Sequence, residues 1–401
     1  MPANRLSMSH SRSSIATHPP LPYRAQIRVK VIWTLNLGET VSDRSESVIE
    51  MMMDQWESMV GMAGMFIVTI GIGIFIQPAY DFSEARAYGD EGTTQSSFIL
   101  LQLLLIGIFT VVIIWLARKG LDYLIKGIVM LALGLSLFYA IQPFIALIFF
   151  NIGFSSDNPS LVAYFGLSVL AITIGGMFAL HRYPEWWVVN SVGVMVGSGV
   201  IVMIGISFVP TLVIIFMILA AIYDYWAVHK SKHMLELADT MIGLKLPVLL
   251  VAPKEKGYSF LEQEGDIMQD SPPAPPSVME AELVDRQERM KPKKKSRDAL
   301  FMGLGDVIFP GMLVISAISF LPESGSEIWN PYGTFYMDQI VVAVGTLIGG
   351  LVGYVLLMTF VAQGNPQPGL PLLNGGAILG YIISGIYAVG PAELFQAITF
   401  L

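Results

Sequence analysis

The stretch Gly303-Leu304-Gly305-Asp306 lies inside the apolar run Ala299–Leu321, which is long enough to cross a bilayer. A carboxylate at the centre of a membrane helix costs about +2.5 to +3.5 kcal/mol on insertion scales, so such a residue marks function by default. The two glycines remove side-chain bulk and let the backbone leave the helix or approach another segment. One other run carries a comparable acid: Asp224, preceded by Tyr223, in Val209–His229. Two acids on successive spans govern the reading of everything around them.

The composition is that of an all-α polytopic membrane protein. Of 401 residues 54% are apolar and 13% charged, the mean hydropathy is +0.63, and the apolar residues gather in repeated runs of about 20. A soluble chain of this length would show charged outer faces at helical spacing, whereas these runs are apolar all round. The formal charge of −8 says little about partners, because the charges sit in loops and tails of opposite sign. The absence of cysteine removes a disulfide framework, a thiolate metal site and a cysteine nucleophile.

Nine spans are expected, at about 58–78, 97–117, 126–150, 160–180, 186–208, 209–229, 299–321, 338–363 and 370–389, with a Phe208-Val209-Pro210 break dividing the fifth from the sixth. Basic residues collect on the even-numbered connections: Arg118, Lys119 and Lys126 on the second, His181 and Arg182 on the fourth, Lys230 and Lys232 after the sixth. Acidic residues dominate the first connection, with Asp81, Glu84, Asp90 and Glu91, and the seventh, with Glu323, Glu327 and Asp338. The positive-inside rule then puts the N-terminus in the cytoplasm and the C-terminus outside. Residues 1–57 form an N-terminal tail whose first 50 residues are rich in Ser and Arg. A transit peptide has that bias, but a start codon placed too early, ahead of Met51-Met52-Met53, is the favoured reading. Residues 230–298 form the one large loop, with a short β-prone run, Leu246-Pro247-Val248-Leu249-Leu250-Val251, and then a linker holding Pro272–Pro276 and Lys293-Lys294-Lys295. The lysines are read as obeying the inside rule rather than as binding lipid or nucleic acid.

The two acids are expected at one depth. Asp224 lies six residues before Lys230, about 9 Å of helix, and Asp306 eight residues after Asp298, about 12 Å. Two carboxylates held close cannot both ionise, so the pair shares one proton and titrates as a unit. The ionised member can take a proton from a water that attacks a peptide carbonyl while the other donates to the carbonyl oxygen; sequence leaves open which is which. A substrate helix must be unwound before it is cut, and strand addition would hold it extended. Leu246–Val251 is the expected edge, with Leu246, Pro247, Val248, Leu249 and Leu250 as substrate-binding candidates.

These residues resemble the motifs of the presenilin and signal peptide peptidase family, the GxGD-type intramembrane aspartyl proteases. Tyr223-Asp224 looks like the family's YD on the sixth span, Gly303-Leu304-Gly305-Asp306 like its GxGD on the seventh, and Pro368-Gly369-Leu370-Pro371 like its PAL motif, with glycine in place of alanine. Lys245–Leu249 is similar to an apolar Leu/Phe-Pro segment of the presenilin loop. The likeness runs from about residue 58 to the end. It implies nine spans, Asp224 and Asp306 as catalytic residues, the PAL-like segment close to them, and no cofactor. The derived orientation matches presenilin and is opposite to signal peptide peptidase. The short loops and absence of cysteine point to a microbial, archaeal-type cell membrane, and the likeness to microbial homologues implies cleavage of transmembrane proteins without accessory subunits.

The alternative is an ion- or proton-coupled transporter, which also uses intramembrane acids. Other chemistries are weaker still. No HExxH occurs, and His229 and His233, four apart at the cytoplasmic edge, are not read as a metal site. Gly197-Ser198-Gly199 has no histidine in the interior of any other span to act as its base. The glycines at 193, 197 and 199 and at 345, 349 and 353 are read as close-packing steps between helices.

Overall fold

The structure, a computed structural model, describes residues 52–53, 55–152, 159–227, 249–254, 299–362 and 368–399. The N-terminal tail to residue 50, His229, His233, Leu246–Val248 and the proline and lysine clusters of the large loop lie outside the described residues. Among the described residues, nine helices of 17 residues or more follow the nine expected runs. They are α1 (Trp56–Ile76), α2 (Ser96–Arg118), α3 (Asp122–Asn151), α4 (Pro159–Arg182), α5 (Trp186–Gly205), α6 (Pro210–Trp226), α7 (Leu304–Phe320), α8 (Met337–Ala362) and α9 (Leu370–Ala388).

Seven of these are long and apolar enough to cross a membrane; α6 and α7, at 17 residues each, fall short. A 17-residue helix spans about 26 Å, less than the ~30 Å of a hydrocarbon core. Asp224 lies in the last turn of α6 and Asp306 in the first turn of α7, so each acid sits at a helix end. The α5–α6 break falls where the sequence puts it. Val209 is extended (φ −62°, ψ 151°), as a residue before proline prefers, and Pro210 opens α6 where its missing N–H has no helical acceptor to lose.

The expected seventh span needs correcting. Its first five residues, Ala299–Gly303, are a strand (β2), and α7 begins only at Leu304. β2 pairs antiparallel with β1 (Leu249–Pro253), setting Leu250 opposite Met302 and Val251 opposite Phe301. An apolar strand joined to an apolar helix reads as one span by hydropathy; only the distant pairing partner separates them. The depth argument from Asp298 therefore fails in its premise of continuous helix, although both acids do reach one site. A second hairpin, β3 (Glu327–Asn330) with β4 (Gly333–Tyr336), fills the connection between α7 and α8 and was not expected.

Helix α5 is largely enclosed, packing against α1, α3, α7 and β1. Gly193 faces Leu250 of β1, Gly197 faces Thr69 of α1 and Leu304 of α7, and Gly199 faces Ala140 of α3. Helices in lipid gain little from apolar burial against one another, so such close approach supplies dispersion contact instead. The tightest pair is α8 with α9. A Cβ at Gly349 or Gly353 would run into the backbone at Gly376 or Leu372, and one at Gly345 into Ser384. Polar side chains complete the frame. Pro143 inside α3 cannot bond the carbonyl of Tyr139, and the Tyr80 hydroxyl donates to that oxygen. The Gln339 amide caps the Leu321 carbonyl at the end of α7, and Arg86 ion-pairs with Asp81 and Asp90 beside the Phe320 ring.

Candidate active site

Asp306 owes its position to the turn from β2 into α7. Gly303 is the helix N-cap, in an extended conformation (φ −61°, ψ 136°), which makes Asp306 the third helical residue. From there its carboxylate reaches back to accept the Gly303 backbone N–H, half of a capping box. A carboxylate in the first turn also lies favourably in the helix dipole. Leu304 is buried against Gly197 of α5 and anchors the turn, whereas the position of a Cβ on Gly305 is open. Gly303 itself lies close to the acid: a Cβ there would stand 3.3 Å from Oδ2 of Asp306. Pro310, four residues on, cannot bond the Asp306 carbonyl, so the turn holding the acid lacks one helical rung.

Asp224 comes from the other side, on the buried face of α6 with 6% of its surface exposed. Its Oδ2 accepts the backbone N–H of Leu370 over 3.3 Å. The preceding residue, Gly369, abuts the other acid, and a Cβ there would fall 2.9 Å from Oδ1 and 3.0 Å from Oδ2 of Asp306. Consecutive residues of one segment thus touch the two carboxylates. Asp224 is also near enough for its charge to act on Asp306. The two acids expected from distant runs share one site, and Pro368-Gly369-Leu370-Pro371 is its third wall. Pro368 is buried, and Pro371 lies in the first turn of α9. Tyr223 is partly exposed, its ring 6.4 Å from that of Trp226.

The expected substrate strand is only partly as read. Leu249, Leu250 and Val251 lie in β1, which continues to Pro253. β1 is not an open edge, however. The Asn190 side chain of α5 donates to the Val251 carbonyl (2.7 Å) and accepts its N–H (2.8 Å), and Leu250 and Val251 are wholly buried. Backbone groups alternate sides along a strand, so Val251 turns to Asn190 while Leu250 and Ala252 turn to β2. Asn190 was missed because a lone amide on an apolar helix carries no motif. Asn374, missed for the same reason, donates through Nδ2 to the Met217 carbonyl (3.0 Å) and ties α9 to α6.

Among the described residues the serine alternative finds no geometry. Ser198 is fully buried and donates to the Met195 carbonyl of its own helix. Among the described residues no group of three or more His, Asp or Glu could hold a metal.

Residues 63–390 match the family model described as signal-peptide peptidase, presenilin aspartyl protease. Two solved structures of a presenilin family intramembrane aspartate protease, in C222 and P2 space groups, are similar at 25% sequence identity and a TM-score of 0.50. Each match covers 82% of this chain, and 99% and 97% of the respective solved chains. No curated protein matches the chain in sequence.

Proposed function

The chain belongs to the signal-peptide peptidase and presenilin family of aspartyl proteases, and on that premise we propose that it cuts peptide bonds within transmembrane helices, with Asp224 and Asp306 as its catalytic pair. The observation that carries this is the contact of Gly369 with Asp306 and of Leu370 with Asp224, which draws acids from separate helices to one segment.

One carboxylate, ionised, takes a proton from water as the water oxygen attacks the scissile carbonyl. The other, protonated, donates to the carbonyl oxygen as it becomes tetrahedral. Collapse of that adduct expels the amine, which leaves with a proton from the pair. The bonds of Gly303 and Leu370 to the acids keep both carboxylates fixed while charge moves between them. The substrate must be extended to be cut, and we assign that task to β2, the strand leading directly into Asp306, rather than to β1, whose outer side Asn190 occupies. The open space at Gly305 supports a substrate passing there.

In this reading all nine helices are membrane spans, the N-terminus is cytoplasmic, and the enzyme works in the cell membrane without accessory subunits. The charge pattern of the connections supports the orientation. Family membership and the solved relatives support protease chemistry; nothing in them supports a transporter. The test is hydrolysis of a leucine-rich transmembrane peptide in ¹⁸O-labelled water by the purified protein. Two fragments, with label in the new carboxyl group, are expected. Intact peptide together with proton flux through reconstituted liposomes would overturn the proposal in favour of a transporter.

A further inference from the structure

Asn374 is 2% exposed, and its amide is only half used. Because Nδ2 donates to the Met217 carbonyl, the amide cannot be turned over without setting two oxygens against each other, so Oδ1 is the remaining group. Among the described residues Oδ1 has no hydrogen-bond partner. A buried carbonyl oxygen without a donor is costly.

Asn374 also lines a groove of about 320 Å³ between α6 and α9, together with Met217, Ala221, Tyr225, Pro371 and Gly375. The groove is on the lipid side, since Ile218, Ile222 and Tyr225 along it are exposed. A Cβ on Gly375 would meet nothing within 4 Å, so the groove is open there. Its occupant must be apolar along its length and supply one hydrogen-bond donor. Lipid acyl chains carry no donor, whereas Ser and Thr side chains of transmembrane helices do and use them between helices. Position agrees with this. Asn374 is one helical turn, about 6 Å, beyond Leu370, whose N–H meets Asp224. The close glycine packing closes the α8 side of α9, so a donor reaches Oδ1 from the groove on the α6 side.

We propose that Asn374 is a specificity-determining residue: its Oδ1 accepts a hydrogen bond from a Ser or Thr hydroxyl on a transmembrane substrate lying in the α6–α9 groove. The inference rests on the protease reading above and names a substrate feature that the enzyme selects.

The probes are leucine-rich transmembrane peptides in detergent micelles, identical except for one residue, Thr or its isostere Val, moved along the helix one position at a time. The wild-type enzyme is expected to cleave the Thr peptide about threefold to fifteenfold more efficiently than the Val peptide at one position or at a neighbour one turn away. Asn374→Leu should abolish that preference while still cleaving the Val peptides. Should Asn374→Leu fail to fold, Gly375→Leu fills the groove from an open position, and it should raise KM for every peptide with kcat little changed. Equal cleavage of Thr and Val peptides at every position by wild type overturns the inference and leaves the protease standing. So does a Thr preference that survives in Asn374→Leu, or an unchanged KM in Gly375→Leu. Failure to cleave any peptide overturns the protease reading and the inference together.

Discussion

Gly369 lies so close to Asp306 that a Cβ at residue 369 would fall 2.9 Å from one carboxylate oxygen and 3.0 Å from the other. The PAL motif that this segment resembles has alanine there, so the proposed dyad is built around a missing methyl group. Gly369→Ala should displace the carboxylate by a few tenths of an ångström. Misplacement of a reacting group by 1 Å can cost on the order of 100-fold, so a loss of about tenfold in kcat, with KM nearly unchanged, is expected. Steady-state kinetics beside a thermal melt check this. A kcat equal to wild type would mean that the acid has room the structure does not give it.

The Asn190 amide satisfies both backbone groups of Val251 from the side opposite β2. Asn190→Leu leaves two buried backbone groups unpaired and should cost about 1–3 kcal/mol per group, lowering the melting temperature and slowing cleavage. Hydrogen exchange gives the local readout: the Val251 amide should exchange faster in the variant. Unchanged protection there would remove Asn190 as the anchor of β1.

Close packing of α8 on α9 depends on Gly376, where a Cβ would strike the backbone of Gly349. Gly376→Val is therefore expected to lower thermal stability sharply. Gly107→Val on α2, where a Cβ meets nothing within 4 Å, is the control and should melt near wild type. Equal melting temperatures for both variants would contradict the packing described here.

A pair of carboxylates sharing one proton gives a bell-shaped dependence of kcat on pH. Activity falls in acid as the base becomes protonated and falls in alkali as the acid becomes ionised. A rate that climbs monotonically with pH would mean that no protonated carboxyl takes part. Rates on a soluble control protease, measured with the same peptide and detergent, separate this effect from changes in the micelle.

How far the sequence reached can be seen residue by residue. Asp224 and Asp306 stood out because a carboxylate in an apolar run is expensive, and the Pro368–Pro371 segment because it resembles the family's PAL motif. The helices followed from run length, and the α5–α6 break from Pro210. What escaped depended on partners distant in the chain. Ala299–Gly303 is as apolar as the helix it precedes, and only pairing with Leu249–Pro253 makes it a strand. The β3–β4 hairpin had a local signal that went unused, Asn330-Pro331-Tyr332-Gly333 between aromatic residues. Asn190 and Asn374 carry no signal in one sequence; their meaning comes from the backbone groups they meet.

The most direct test of the central claim is cleavage of one transmembrane peptide by the purified protein, with Asp224→Asn and Asp306→Asn run beside it. Each substitution keeps side-chain volume while removing the ability to share a proton. The account predicts cleavage by wild type and none by either variant, with both variants melting close to wild type. Full activity in either variant would contradict it.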